Sequence, residues 1–136
     1  MKKFLSRGYK AKLRIATKER RIREWQEMAE SITAPLKEVV SFSSTPSKKV
    51  EEAVCNIVDL QNEIAEEIVN LIAIEREISE LLKNSPLEAV DKCILEMRYL
   101  NYMKWEDIAL AVNYAQRWVL RRHKKALKIL RDSATS

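Results

Sequence analysis

Residues 105–130 read WEDIALAVNYAQRWVLRRHKKALKIL, and this stretch predicts two short helices joined by a tight turn. Over residues 104–111 the apolar side chains recur at intervals of three and four, which places them on one buried helix face. Asn113 follows, and asparagine tolerates the left-handed backbone conformation that ends many helices. A second helix begins near Ala115. The pattern therefore predicts a helix-turn-helix, in which one helix braces the other.

The second helix is strongly basic and carries its charge on one side. From Asn113 to Arg131 there are seven Arg or Lys residues, one His and no Asp or Glu. A helical period divides this segment into an apolar inner side and a basic outer side. The inner side comprises Val119, His123, Ala126, Leu127 and Leu130. The outer side comprises Arg117, Leu120, Arg121, Lys124 and Lys128. A major groove is wide enough for such a helix, so the second helix is the predicted DNA-contacting element.

The segment from Pro86 to Leu130 resembles the region 4 helix-turn-helix of sigma-70-type factors, with the brace ILEMRY at residues 94–99. From about Ile32 onward the chain is similar to the late-operon activators of ArpU and RinA type, which are small regulators of phages and prophages. Those proteins have a Ser-rich break, a long acidic helix and this C-terminal unit in the same order. Two departures are Ala115, where Ser or Thr usually caps the helix, and a turn without Gly. The resemblance implies a DNA-binding regulator that switches on late or packaging genes in the bacterial cytoplasm, associated with the nucleoid.

The resemblance also implies which side chains of the second helix meet DNA. Early outward positions of a sigma-like recognition helix face base edges, which Arg, Gln and Leu contact in the major groove. The implied base-contacting residues are Gln116, Arg117, Leu120 and Arg121. Later positions meet phosphates. The implied phosphate-contacting residues are Arg122, Lys124, Lys125 and Lys128. The expected partner is double-stranded DNA, and a variant of this expectation has the same unit bind RNA polymerase as a sigma-like subunit.

Composition limits both the fold and the chemistry. One Gly and three Pro in 136 residues leave little turn chemistry for a sheet protein, so the predicted class is all-α. With Gly8 alone there is no Gly-rich phosphate loop, and the residues form no nucleophile cluster or metal-ligand pattern. We therefore expect no enzyme activity and no cofactor. His123 is predicted to be a packing residue, and Cys55 and Cys93 are predicted to be small core residues.

Charge alternates along the chain. Residues 1–50 carry a net charge of +8, residues 51–91 carry −9, and residues 92–136 carry +6. Such blocks act through their local field, so only the two ends are expected to approach phosphate. The basic N-terminal helix either contacts DNA as a second arm or pairs with the acidic helix, and the sequence leaves both open. No apolar run approaches the ~20 residues needed to cross a bilayer, so no membrane partner is expected.

Four segments follow from these patterns. They are a basic N-terminal helix (1–33), a Ser/Pro linker (34–49), a long acidic heptad helix (50–84) and the helix-turn-helix unit (86–131). Pro86 is expected in the first turn of the helix that opens the last segment.

The acidic helix repeats apolar residues every seven positions, which is typical of a coiled-coil or bundle helix. The repeating residues are Val50, Ile57, Ile64, Leu71 and Ile78. A long helical hairpin that forms a homodimer is expected from this repeat. The alternative to a regulator is a non-enzymatic helical assembly protein with nonspecific nucleic-acid affinity.

Overall fold

The computed structural model describes residues 1–38 and 44–135, with side chains described for 1–31 and 48–134. The chain is all helical, as the sequence predicts, and the described residues contain no strand. The described helices are α1 (Lys2–Leu5), α2 (Arg7–Glu38), α3 (Ser44–Lys83), α4 (Ala89–Tyr99), α5 (Trp105–Val112) and α6 (Gln116–Thr135). None of them is long and apolar enough to cross a membrane.

The break between the two long helices is shorter than predicted. A linker over residues 34–49 is expected from its Ser and Pro content, but α2 continues through Glu38 and α3 already begins at Ser44. Residues 39–43 lie outside the described residues. The early start of α3 has a physical reason, because Pro46 lies in the first turn of that helix, where a missing N–H breaks no helical hydrogen bond.

The start of α4 also differs from its predicted position. The sequence places Pro86 in the first helical turn, whereas α4 begins at Ala89, after an extended Glu88 with φ −65° and ψ 155°. The prediction is wrong because Leu87 belongs to the core, where only 7% of its surface is exposed. An extended segment before α4 lets this side chain reach the core.

One compact unit comprises Met1–Ala11 together with Leu71–Ser136. Its larger core cluster takes side chains from α1, the start of α2, the end of α3, and from α4 and α6. Burying one leucine completely stabilises the fold by about 1.5 to 3 kcal/mol relative to leaving it exposed. The members that are at most 1% exposed are Leu5, Ala11, Ile78, Leu82, Leu95, Ala126 and Leu130. The predicted helix-turn-helix segment (86–131) is therefore completed by residues from elsewhere in the chain.

A second core cluster in this unit fixes α5 and α6 against α4. Its buried members are Ile94, Ile108, Ala109 and Val119. Trp105 and Trp118 pack against the edge of this cluster and are themselves half-buried. The inner faces predicted for both helices of the helix-turn-helix are thus confirmed.

The connection between α4 and α5 is held by Tyr102, whose backbone is left-handed with φ 57°. Its hydroxyl donates a hydrogen bond to Glu75 Oε1 on α3, at 2.6 Å. Burial, together with the adjacent Glu75 carboxylate, raises the pKa of the Tyr102 phenol. Gly8 lies directly beside this hydroxyl, and a Cβ at position 8 would be only 2.6 Å from the Tyr102 oxygen. The start of α2 therefore packs against this turn because residue 8 has no side chain.

The other compact unit, Lys12–Asn70, contains most of α2 and of α3. Arg14 Nε donates a hydrogen bond to Glu67 Oε1 at 3.0 Å, which places the two helices side by side. Ala53 and Leu60 of α3 are buried, and Glu67 continues their seven-residue spacing. The side of α3 marked by these residues therefore faces α2.

Both cysteines are exposed, so the prediction that they are core residues is wrong. On α4, Cys93 lies between the buried Asp91 and Ile94 but points away from their side of the helix. On α3, Cys55 is two positions beyond the buried Ala53 and so lies on another side of the helix. Helix α3 has more apolar positions than one face buries, and composition alone does not identify which positions are covered.

Candidate nucleic-acid interface

The turn between α5 and α6 has the conformation predicted for Asn113. This residue adopts the left-handed conformation, with φ 60° and ψ 45°, and ends α5. The Tyr114 N–H donates to the Ala109 carbonyl at 3.2 Å, and the Asn113 N–H donates to the Leu110 carbonyl at 3.3 Å. These bonds satisfy carbonyl groups that a helix end otherwise leaves without partners. The turn thereby sets the direction of α6 without a glycine.

Helix α6 is oriented with its basic side outward. Val119 and Leu130 are at most 1% exposed, and His123 is 8% exposed on the same inner side. All four residues predicted to contact bases are exposed, and so are three of the four predicted to contact phosphates. We call this exposed set the outer side of α6, and it consists of Gln116, Arg117, Leu120, Arg121, Lys124, Lys125 and Lys128. The structure brings these side chains together, while their contact with DNA stays a prediction.

Arg122 is the exception among the predicted phosphate contacts. Its guanidinium donates to both carboxylate oxygens of Asp91, at 2.8 and 2.9 Å, and to Glu88 at 2.8 Å. Asp91 is only 4% exposed and lies in the first turn of α4. Hydrogen bonding to Asp91 raises the pKa of Arg122 above its usual value. Arg122 therefore joins α6 to α4, because a bidentate pair commits its guanidinium to a protein carboxylate rather than to a phosphate.

His123 is a packing residue with one hydrogen bond, as predicted. Its Nε2 lies 2.6 Å from the Tyr99 hydroxyl, and the Trp105 ring meets its ring edge-on with centroids 4.6 Å apart. Burial, with smaller contributions from the positive charges of Lys2 and Arg98, lowers the pKa of His123 to about 4. The imidazole is consequently neutral at pH 7. It stabilises the inner side of α6 by packing and adds no charge to the helix.

A groove of about 610 Å³ lies between α1 and the basic side of α6. It is lined by Met1, Lys2, Arg121, Lys124, Lys125, Leu127, Lys128 and Arg131. Six of these eight residues are Lys or Arg, and none is acidic. Positive charges held this close repel one another, so the groove favours an anionic ligand. Lys2 is a member that sequence reasoning missed, since no local pattern relates the N-terminal lysines to α6.

Two exposed apolar residues flank the turn before α6. Leu110 is 80% exposed and Tyr114 is 54% exposed. The Tyr114 ring stacks on Trp118, with centroids 3.9 Å apart and 21° between the ring planes. Because Trp118 packs against the second core cluster, the Tyr114 ring is held in place next to the start of α6. Sequence reasoning did not single out Leu110 or Tyr114, since their exposure follows from the direction that the turn gives to α6.

Some arginines of the basic N-terminal helix form ion pairs with the acidic helix. Arg7 forms an ion pair with Glu77, and Arg14 forms one with Glu67. The hydrogen bond from Arg14 lowers the pKa of Glu67 below its usual range. Of the two interpretations that the sequence leaves open, pairing with the acidic helix is the one that these contacts support.

No family model matches the chain, and comparisons with curated proteins and with solved structures also find no match. Among the described residues, no group of three or more His, Cys, Asp or Glu is placed to hold a metal ion. The candidate site consists of the outer side of α6, the adjoining turn and the groove beside α1.

Proposed function

We propose that this chain is a sequence-specific DNA-binding transcription regulator whose helix α6 enters the major groove of double-stranded DNA. The observation that carries the proposal is the outer side of α6, where seven exposed residues include five cations and no acid. A major groove is about 12 Å wide and admits one α-helix. The opposite side of α6 is occupied by core packing, so the basic side is the one available to a ligand.

Residues near the start of α6 supply base recognition in this proposal. The guanidinium groups of Arg117 and Arg121 have the geometry to pair with the O6 and N7 atoms of guanine. The Gln116 amide suits adenine. Leu120, which is 40% exposed, suits the methyl group of thymine.

Lysines further along α6 and at the N-terminus supply phosphate contacts. Lys124, Lys125 and Lys128 line the groove together with Lys2. Each neutralised phosphate releases condensed counterions and steepens the dependence of log K on log salt by about 0.9. These residues therefore account for affinity, and the start of α6 accounts for sequence preference.

The biological role that we propose is activation of late or packaging genes of a phage or prophage. It rests on the resemblance to regulators of ArpU and RinA type, because a fold by itself does not fix a function. In this chain the long acidic helix α3 is followed by the C-terminal helices α4 to α6, and this order supports the resemblance. We expect transcription from a promoter that carries the recovered binding site to increase when the protein is added. Comparing the transcription rate with and without the protein measures this.

The first test is selection of fragments from the organism's own genome at moderate salt, where nonspecific phosphate binding is weak. We expect enrichment of one short site. On that site, Arg121→Ala should weaken binding by about 1 to 3 kcal/mol and relax preference at one base pair. Lys128→Ala should weaken all sequences alike and reduce the salt slope by about 1. Lys49→Ala, an exposed lysine at the start of α3, is the matched control and should leave affinity unchanged.

The proposal fails if no site is enriched, or if Arg121→Ala and Lys128→Ala both bind like the unaltered protein. Far-UV circular dichroism of each variant should match the unaltered chain. Both side chains are exposed, so their loss is not expected to unfold α6.

A second candidate function is attachment to RNA polymerase as a sigma-like subunit, and the exposed Leu110 favours it. A leucine that is 80% exposed next to a rigid turn suits a protein surface better than a phosphate backbone. Retention of polymerase on the immobilised protein, lost in Leu110→Glu but kept in Lys49→Glu, would support this function. If Leu110→Glu retains polymerase as the unaltered protein does, Leu110 is not the contact.

A further inference from the structure

Helix α3 has an apolar stripe that is exposed. Val54 is 50% exposed, Val58 46%, Ile68 43% and Val69 69%. Along this side of the helix the positions advance in steps of four and three, from 54 through 58, 61 and 65 to 68. This is the spacing with which one helix packs against another in a coiled coil. We call the stripe and its neighbours the uncharged face, and it consists of Val54, Cys55, Val58, Gln61, Asn62, Ala65, Ile68 and Val69.

The uncharged face is distinct from the side of α3 that packs on α2. Ala53, Leu60 and Glu67 mark the packed side. Each is followed directly by a residue of the uncharged face, which is a rotation of about 100° around the helix axis. The side marked by Ala53, Leu60 and Glu67 therefore packs against α2, and the steps of four and three describe a second surface on the same helix.

The uncharged face is an exception within an acidic helix. Between Val50 and Ile74 the sequence has six acidic residues and no Lys or Arg. Five of the six lie elsewhere around the helix, and Glu51, seven residues before Val58, marks the charged end of the face. Glu52, Asp59 and Glu66 occupy a separate line, also seven residues apart, further around the helix. These carboxylates are exposed because water solvates their charge. Solvation does not explain why valines and an isoleucine are exposed at coiled-coil spacing.

We propose that the uncharged face is the surface on which a second copy of this chain docks, with α3 packed against α3 of the other copy. The same spacing on both helices lets side chains of one fit between those of the other. Two strongly acidic helices repel unless their carboxylates are kept apart, and contact through the uncharged face keeps them apart. Gln61 and Asn62 lie in the middle of this face, and their amides both donate and accept hydrogen bonds, so identical copies satisfy each other.

A basic partner protein fits this face less well than a second copy does. Charge complementarity would draw basic residues to the acidic line of α3, because the uncharged face has no carboxylate to pair with them. The assembly proposed here does not depend on DNA binding, so its failure and that of the proposed function are separate results.

Analytical ultracentrifugation of the full chain tests this assembly. The unaltered protein should sediment with the mass of two chains. The double variant Val58→Glu and Ile68→Glu places a charge at both ends of the face and should sediment as one chain. Both residues are more than two-fifths exposed, so the new charges are solvated in the single chain and helix content by circular dichroism should not change. The matched control, Asp59→Asn with Glu66→Gln, changes the acidic line and should remain a dimer.

A distance measurement gives an independent readout. Cys55 lies on the uncharged face, so a spin label there, with Cys93→Ser to remove the other thiol, should show coupling between two copies. Parallel helices place the two labels side by side. Antiparallel helices centred on Gln61 and Asn62 separate them by about 20 Å along the axis, at 1.5 Å per residue. Sedimentation as a single chain at all concentrations, a dimer that survives Val58→Glu with Ile68→Glu, or the absence of coupling between labels would each overturn the proposal.

Discussion

Helices α2 and α6 are both rich in Arg and Lys, but they differ in what lies opposite their charges. On α2, Arg14 pairs with Glu67 of α3, and Arg20 lies 3.6 Å from Glu24 one turn away. Lys18 lines a shallow depression together with Asn70 and three glutamates of α3. On α6, five cations line the groove beside α1 together with Lys2, and no acid lines it, although Arg131 lies 3.8 Å from Asp132.

A count of positive charges therefore does not identify a phosphate-binding surface. A cation that already has a carboxylate partner must lose it, or share it, before it binds phosphate. Arg122 shows the same distinction within α6, because it pairs with Asp91 while its neighbour Arg121 lines the acid-free groove. A phosphate-binding surface is therefore recognised by positive charges that have no carboxylate beside them.

The largest expected effect separates the two helices directly. Removing three cations from the outer side of α6, with Arg121, Lys124 and Lys128 all changed to Ala, should weaken DNA binding at least about 100-fold and reduce the salt slope by about 2 to 3. Removing three from α2, with Arg14, Lys18 and Arg20 all changed to Ala, should change the Kd by less than about 3-fold, which on the scale of 1.4 kcal/mol per tenfold is under 1 kcal/mol. Titration of a fluorescent duplex at several salt concentrations measures both.

Equal losses in the two triple variants would contradict this difference between the helices, since the α2 cations would then contribute to DNA binding as much as those of α6. Circular dichroism on both proteins excludes loss of helix as the cause. Arg14 and Arg20 are exposed, as are the three residues changed on α6, so the two variants are closely matched in surface position.

The second prediction concerns the inner side of α6, where His123 is kept neutral. The pKa of this residue is lowered from 6.5 to about 4, by burial first and then by Lys2 and Arg98. The unfolded chain therefore binds a proton below pH 6.5 that the folded chain does not bind until about pH 4, so stability falls as pH falls through this window. Between pH 7 and pH 5 the free energy of unfolding should decrease by about 2 kcal/mol, at about 1.4 kcal/mol per pKa unit.

Urea unfolding at pH 7, 6 and 5 measures this decrease. His123→Gln keeps a polar side chain next to Tyr99 but does not titrate, so its stability should be nearly constant over the same range. A slope in His123→Gln equal to that of the unaltered protein would show that other groups cause it.

The smallest expected effect is at the start of α2, whose role in the comparison is packing rather than binding. Gly8→Ala places a Cβ 2.6 Å from the Tyr102 hydroxyl, which Glu75 holds in position. The resulting strain exceeds the helix propensity gained from alanine, so we expect a net loss of about 1 kcal/mol in the free energy of unfolding. In a Tyr102→Phe background the clash is absent, and the same substitution should stabilise by up to about 1 kcal/mol.

This reversal of sign is measured by a double-mutant cycle in urea. A destabilising Gly8→Ala in both backgrounds would show that the Tyr102 oxygen is not the obstacle. DNA affinity at a temperature where all four proteins are folded should be the same, because residue 8 is not part of the proposed interface.

Local sequence patterns were sufficient for the helix-turn-helix itself. The left-handed Asn113 and the buried Val119 follow from residue type and helical period, which are properties of a short stretch of chain. Local patterns do not reveal which residues pair when they are far apart in the sequence. The ion pair between Arg122 and Asp91 and the position of Lys2 beside α6 both depend on how helices far apart in sequence are packed.

The predicted heptad repeat illustrates the same limit from another direction. The predicted repeat through Val50, Ile57 and Ile64 is half-buried. It lies between the buried Ala53 and Leu60 and a second series through Val54 and Ile68 that is exposed. Which series is covered within the chain is decided by α2, through contacts such as Arg14 with Glu67. For this reason the prediction that Cys55 is a core residue is wrong.

The core that unites Leu5 and Ala11 with Ala126 and Leu130 has a consequence for the order of folding. Its members come from opposite ends of the sequence, so the contacts between them are of high sequence separation and close a long loop at an entropic cost. During synthesis the first helix is made long before α6, and Leu5 lacks part of its covering until Leu130 has left the ribosome. A fragment limited to residues 86–131 would lack Leu5 and Ala11 altogether. Completion of the core therefore requires chain from both regions, and we expect it only after α6 has been synthesised.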